Sequence, residues 1–258
     1  MGLPHLTGLN EAMLLKRFQL GLIHLAVAMT LVPINSTLNR VMIKELAFSA
    51  TLVAILASLP YLLSPIQVLI GSFSDRHPLF GWRRTPYIAI GLVFCVLGVM
   101  LAPLAAFVLA DNFLMGLIFG LFAFGAWGMG FNFATVSYFS LATDLSGEKE
   151  RGSTISVMFF MMIIGIISTS LLVSRLVDPY SPQVLVRSFW IVGIIALVLG
   201  LLGLVKLEKR TFADQRDEQE RHSWRFLASS ILENKQATIF FIYLILLLIA
   251  LLGQYILL

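Results

Sequence analysis

Long runs of apolar residues, separated by short polar segments, dominate this chain of 258 residues. The runs do not alternate apolar and polar residues as a transmembrane β-strand does, and a membrane-spanning helix needs roughly 20 mostly apolar residues. We therefore predict an all-α fold, a polytopic bundle of transmembrane helices. Seven spans are predicted, at residues 18–38, 50–73, 86–110, 113–142, 153–176, 186–206 and 236–257.

One long hydrophilic segment interrupts this pattern, at residues 207–235. It predicts an N-terminal six-helix bundle (1–206), a cytoplasmic linker (207–235) and the first span of a second, incomplete bundle (236–258). Within the linker, 224–232 is either an amphipathic helix on the membrane face or plain solvated chain. Because the chain stops directly after the seventh span, we expect it to be part of a longer protein.

Composition agrees with a membrane protein, since 59% of the residues are hydrophobic and only 12% are charged. Soluble domains carry roughly half apolar and about a quarter charged residues. The net charge of +4 comes from basic residues scattered between apolar runs, so nucleic acid is not an expected partner, whereas membrane lipid is. Glu11, Lys16 and Arg17 precede the first span without a small-residue cleavage site, so we expect no cleavable signal peptide.

No sequence motif indicates catalysis. The chain has no phosphate-binding glycine loop, no metal-ligand cluster and no nucleophile with a paired base, so we predict no catalytic residue, no metal site and no enzyme activity. Cys95 is the single cysteine and lies within an apolar run, which excludes a disulfide within the chain.

The distribution of Lys and Arg predicts the orientation. Fourteen of the 18 lie on the side of the N-terminus and of 207–235, and four lie on the other side: Arg40, Lys44, Arg175 and Arg187. Loops rich in Lys and Arg stay on the cytoplasmic side. The N-terminus is therefore predicted to be cytoplasmic, or on the equivalent side of a thylakoid.

The loop after the second span combines Gly71, Asp75, Arg76, Gly81 and the pair Arg83 and Arg84. Asp75 is placed to pair with an arginine or with a helix N-terminus across the bundle. Alternatively, the arginines have no specific partner and only anchor the helices on the cytoplasmic side. The pattern resembles the loop motif of the major facilitator superfamily, although 77–80 lengthen its usual spacing.

The loop after the fourth span carries Asp144, Arg151 and Gly152, which resemble the second loop motif of the same superfamily. Both loops follow even-numbered spans and therefore fall on the same side. This resemblance implies a major-facilitator-like N-terminal half of six spans, followed by a seventh span.

The resemblance extends to one family within this superfamily through three further stretches. They are 38–46, which contains Asn39 and Arg40, 81–88 and 142–145. Together they resemble the bacteriochlorophyll-delivery (PucC/LhaA-like) family of that superfamily. The resemblance implies handling or delivery of chlorophyll or bacteriochlorophyll during assembly of light-harvesting or photosystem complexes. It further implies antenna or photosystem subunits as partners and a location in a thylakoid or bacterial inner membrane.

Three polar side chains within the spans are candidate ligands for a chlorophyll magnesium: His24, Gln67 and Asn132. Intramembrane polar groups are functional candidates, but His24 could equally hydrogen-bond a neighbouring helix. Glycines of the fourth span, such as Gly116 and Gly130, favour close helix packing. They could also let the helix backbone approach a flat tetrapyrrole ring.

Two other functions are compatible with the sequence. One is a secondary transporter of a small solute, which the two loop motifs favour. The other is a structural membrane subunit that has lost transport. The spans hold almost no carboxylate away from their ends, and this argues against a proton symporter.

Overall fold

The computed structural model describes residues 4–208, residue 210 and seven residues near the C-terminus, which are 236, 238, 239, 242, 243, 246 and 247. The chain divides into two compact units, Met1–Thr211 and Phe212–Leu258. The described residues of the second unit are helical and fall within the predicted seventh span. Most of the predicted linker 207–235, with the stretch 224–232, lies outside the described residues.

Helices form all the regular structure of the first unit in its described part, apart from one isolated bridge between Leu79 and Trp82. They are α1 (Pro4–Val32), a π-helix (Pro33–Leu38), α2 (Asn39–Lys44), α3 (Ala50–Ala57), α4 (Leu59–Leu62), α5 (Ile66–Arg76), α6 (Thr85–Asp111), α7 (Phe113–Leu176) and α8 (Pro182–Leu204).

Four helical segments in the described part are long and apolar enough to cross a membrane: Met13–Lys44, Thr85–Asp111, Phe113–Leu176 and Pro182–Leu204. The protein is therefore an integral membrane protein, as predicted. The first of these segments extends past the predicted end at 38, because the π-helix continues α1 into α2. Asn39 and Arg40 are consequently helical.

Helix α7 folds back on itself at Gly147, whose φ of 63° and ψ of 178° are not helical. The rings of Phe139 and Phe159 lie 6.3 Å apart. In a straight helix, 20 residues would separate them by about 30 Å. The predicted spans 113–142 and 153–176 are thus the two arms of a helical hairpin. The residues predicted to form a polar loop between them, 143–152, continue the helices on either side of Gly147.

The prediction of one continuous span at 50–73 is wrong. In its place stand the three short helices α3, α4 and α5, with breaks around Ser58 and at 63–65. Proline has no backbone N–H and clashes with the preceding turn. Pro60 and Pro65 stand at the starts of α4 and α5, so each ends the hydrogen-bond ladder of the preceding helix.

Glycines bring α6 and the first arm of α7 into backbone contact. A Cβ atom on Gly98 would lie 2.4 Å from the backbone nitrogen of Trp127, and one on Gly91 would lie 2.4 Å from that of Ala134. Real Cβ atoms do not approach so closely. As predicted for small residues between membrane helices, Gly116 and Gly130 make similar contacts with Leu109 and Cys95.

Candidate functional site

Three aromatic rings surround the imidazole of His24 of α1. The centroid of its imidazole lies 5.1 Å from that of Phe159, 5.2 Å from Tyr138 and 5.4 Å from Phe139. The hairpin at Gly147 creates this arrangement, because it brings Tyr138 and Phe139 of the first arm and Phe159 of the second arm to the same part of α1. We call these four residues the His24 cluster.

The imidazole of His24 is buried, with 6% of its surface exposed, and its Nδ1 has no hydrogen-bond partner among the described residues. Buried polar groups in native proteins are nearly always paired, and leaving one unpaired costs about 1–3 kcal/mol. Phe159 is 43% exposed, so the cluster extends from the buried imidazole to the surface of the helices. A buried imidazole nitrogen beside aromatic rings has the chemistry of a ligand for a metal ion.

The other two candidate ligands bind each other. The amide Nε2 of Gln67 donates to Oδ1 of Asn132. Both hydrogens of the Asn132 amide are also used, since its Nδ2 donates to the carbonyl oxygens of Pro60 and Gly128, each at 2.9 Å. Asn132 therefore links the short helix α4 to α7 and provides a hydrogen-bond donor for the Pro60 carbonyl. His24 is the candidate that the described contacts leave unpaired.

Replacing Asn132 with leucine is expected to destabilise the junction between α4 and α7. The change leaves the Pro60 carbonyl without its partner and should lower the free energy of unfolding by about 1–3 kcal/mol. Thermal unfolding in mild detergent measures this. Thr143→Val is a matched control, because the Thr143 hydroxyl only donates back to the Phe139 carbonyl of its own helix. Equal midpoints for the two variants would contradict this role of Asn132.

The first loop motif forms a tight turn between α5 and α6. Leu79 and Trp82 exchange two backbone hydrogen bonds of 3.0 Å. Between them, Phe80 and Gly81 have φ angles of 56° and 83°, as a type I′ turn requires. Gly71 lies near Val136 of α7. The side chains of Asp75 and Arg76 lie outside the described residues, so the predicted pairing of Asp75 stays a prediction.

Arg84 joins the two loop motifs. Its guanidinium is buried, donates through Nη1 to the Ser74 hydroxyl at 2.8 Å, and places Nε 3.7 Å from a carboxylate oxygen of Asp144. The sequence predicts both motifs on one side of the membrane, and the structure brings their side chains into contact. We call the end of the bundle that contains Arg84 and Asp144 the motif end.

Glu208, which follows α8, caps the N-terminus of α6. Its carboxylate accepts hydrogen bonds from the backbone N–H groups of Arg83, Arg84 and Thr85, at distances from 2.7 to 3.1 Å. Negative charge is stabilising there because the first N–H groups of a helix lack partners. Glu208 falls in the predicted linker 207–235, and no local sequence signal indicates that it lies beside residue 84.

The second loop motif meets α1. Arg17 is buried, donates to the Ser153 hydroxyl at 3.0 Å and forms an ion pair with Glu150. The motif residues Arg151 and Gly152 are exposed, and a Cβ atom on Gly152 would meet nothing within 4 Å. The contacts of this motif therefore come from Asp144, Glu150 and Ser153.

Asn39 and Arg40 lie at the other end of α1, beyond the π-helix. Asn39 Nδ2 donates weakly to the Asn35 carbonyl at 3.5 Å, and its buried Oδ1 has no partner in the described part of the chain. Arg40 is exposed and lines a cavity with Glu45 and Asp178. The described residues contain no group of three or more metal-ligating side chains.

Comparison with known proteins identifies the family. A family model described as PUCC protein matches residues 37–258. The chain belongs to the PUCC protein family. This match contains Asn39, Arg40 and both loop motifs, whereas His24 precedes it.

Three relatives show how much of a PUCC-family protein the chain represents. Protein PucC of Cereibacter sphaeroides is 32% identical over 228 residues, which are 84% of this chain and 50% of that protein. Protein PucC of Rhodobacter capsulatus is 30% identical over 226 residues, 84% of this chain and 49% of that protein. A Rhodobacter capsulatus protein named bacteriochlorophyll synthase 44.5 kDa chain is 32% identical over 199 residues, 76% of this chain and 45% of that protein. The chain spans about half the length of these relatives, and no solved structure matches it.

Proposed function

We propose that this PUCC-family chain handles or delivers chlorophyll or bacteriochlorophyll in the assembly of light-harvesting or photosystem complexes, as an assembly factor or a bound auxiliary subunit. Its membership of the family supports the proposal, as does the name of the relative called a bacteriochlorophyll synthase chain. The structural observation that carries it is the buried Nδ1 of His24, which has no hydrogen-bond partner among the described residues.

The side-chain chemistry of the His24 cluster, a buried imidazole beside three aromatic rings, suits a magnesium tetrapyrrole. The magnesium of such a pigment takes an axial ligand, for which an imidazole nitrogen is suitable, and its large flat ring is apolar. His24 would hold the magnesium, and Tyr138, Phe139 and Phe159 would contact the ring. Aromatic side chains provide such contact over large apolar areas. The pigment supplies light absorption when it is bound, and the protein holds and orients it.

Other parts of the proposal concern the complete protein. We propose a major-facilitator-like fold with a second bundle after the linker, and a cytoplasmic N-terminus, which the positive-inside rule supports. The membrane would be a thylakoid or a bacterial inner membrane, and the partners would be chlorophyll-binding antenna or photosystem subunits. We expect no catalytic reaction.

Pigment content of the purified protein tests the role of His24. The wild-type protein and the variants His24→Leu and His77→Leu are incubated with bacteriochlorophyll in mild detergent, and bound pigment is measured by absorption after gel filtration. We expect His24→Leu to lose most of the bound pigment, because leucine cannot ligate magnesium. His77, at the C-terminal end of α5, is the matched control, and its variant should keep the pigment.

Two outcomes of this experiment contradict the proposal. One is a wild-type protein that binds no pigment. The other is equal pigment in the His24 and His77 variants, which would remove His24 as the ligand. Circular dichroism of each variant shows whether the helices are retained.

A second candidate function is secondary transport of a small solute, which the contact between Arg84 and Asp144 favours. Pairs that join the two loop motifs of a transporter at one end of a bundle would hold that end closed. Uptake into proteoliposomes tests this function, with Asp144→Asn compared with Glu148→Gln, an exposed acidic neighbour. A change in uptake in Asp144→Asn alone supports transport, and wild-type vesicles that take up none of a broad panel of solutes exclude it.

A further inference from the structure

A second polar region lies at the end of the bundle opposite the motif end. It is a cavity of about 480 Å³ between two walls. One wall is formed by the end of α1, the π-helix and α2, and the other by the last turns of α7 and the connection to α8. Its volume falls within the roughly 300–1,000 Å³ that is typical of sites for small molecules. We call it the Arg40 cavity.

The π-helix forms part of the wall of the Arg40 cavity. Its residues Ser36 and Thr37 line the cavity, and Ser170 and Ser174 of α7 add two more hydroxyls. π-Helical turns are rare in proteins, and those that occur are often found at functional sites. Hydroxyl groups exposed at the end of a transmembrane helix can donate to and accept from a polar ligand.

Charges of both signs line the Arg40 cavity. The guanidinium of Arg40 forms no hydrogen bond or ion pair with any described residue, and the same is true of the carboxylates of Glu45 and Asp178. Burial, together with the negative charge of Glu45, raises the pKa of Tyr180 above its ordinary value, so Glu45 lies near this wall residue. One guanidinium and two carboxylates are therefore available to a ligand.

We propose that the Arg40 cavity binds a zwitterionic phosphate ester with an ammonium group. The phosphate would lie at the Arg40 guanidinium, where charge-assisted hydrogen bonds are strong, and the ammonium would lie between Glu45 and Asp178. The hydroxyls of Ser36 and Thr37 complete the polar lining. Such a group exists both as a free phosphoethanolamine and as the headgroup of a phosphatidylethanolamine. The position of the cavity at the helix ends, where headgroups lie, suits the lipid.

Lipid retention by the purified protein tests this proposal, independently of any pigment. The protein is exchanged into micelles that contain either phosphatidylethanolamine or phosphatidic acid, which has a phosphate but no ammonium group, and bound lipid is measured by native mass spectrometry. Arg40→Gln should weaken retention of both lipids about tenfold. Asp178→Asn should weaken retention of phosphatidylethanolamine alone and should tighten that of phosphatidic acid, because a repelling charge is removed.

Arg175→Gln is the matched control, since Arg175 is an exposed arginine at the same end but outside the lining. It should retain both lipids as the wild type does. Titration with free phosphoethanolamine in lipid-free detergent separates the two sources. Arg40-dependent binding of the free compound supports a soluble ligand, and Arg40-dependent retention of the lipid alone supports a headgroup. Equal behaviour of Arg40→Gln and Arg175→Gln, or a wild type that binds neither probe, overturns the proposal.

Discussion

Replacing Gly130 with alanine is expected to force α6 and α7 apart and to lower the free energy of unfolding by about 1–3 kcal/mol. The new Cβ would lie 2.2 Å from the backbone nitrogen of Cys95 and 2.6 Å from the carbonyl oxygen of Gly91. Both are backbone atoms of α6, so rotation of a side chain cannot relieve the overlap. Thermal unfolding in mild detergent measures the loss.

Gly125→Ala is the matched control on the same arm of α7. A Cβ atom on Gly125 meets nothing within 4 Å. Alanine is favoured over glycine inside a helix by about 1 kcal/mol, so this variant should be as stable as the wild type or more stable. If both alanine variants unfold at the same temperature, the close contact of α6 with α7 does not exist as described.

Replacing Glu208 with alanine should free the N-terminus of α6 from the end of α8. Three backbone N–H groups would lose a charged acceptor, and we expect the free energy of unfolding to fall by about 1–3 kcal/mol. Glu208→Gln should recover part of the loss, because its amide oxygen still accepts hydrogen bonds without the negative charge. Hydrogen exchange at the amides of 83–85 reports the effect directly.

The control for this cap is Glu148→Ala, since Glu148 is exposed beside the turn of α7. Exchange at 83–85 should be unchanged in this variant and faster in Glu208→Ala. If exchange in Glu208→Ala stays at the wild-type rate, the carboxylate does not cap α6 in the membrane protein.

The apolar runs predicted where the helices lie but not where they break. The run 86–110 differs from α6 by one residue at each end, because a long apolar segment in a bilayer must satisfy its backbone as a helix. The run 50–73 is also long and mostly apolar, yet its helix is interrupted near Pro60 and Pro65. At this break, Asn132 donates a hydrogen bond to the carbonyl of Pro60. The two residues are 72 positions apart, and the sequence does not show that they are in contact.

The candidate site was predictable only in part for the same reason. His24 is recognisable as a polar residue within an apolar run. Its partners Tyr138, Phe139 and Phe159 are not, because the hairpin at Gly147 decides which aromatic side chains meet α1. Resemblance to a family placed Arg84 and Asp144 on one side, but their contact depends on how α5, α6 and α7 pack. Glu208 belongs to a polar segment whose composition suggested only a linker.

Purification of the protein from its native membrane tests the central claim most directly. The tagged protein is extracted in mild detergent, and its absorption spectrum and the polypeptides that accompany it are recorded. A role in handling chlorophyll or bacteriochlorophyll predicts the absorption bands of the pigment together with antenna or photosystem polypeptides. A colourless protein, free of such polypeptides, would contradict it.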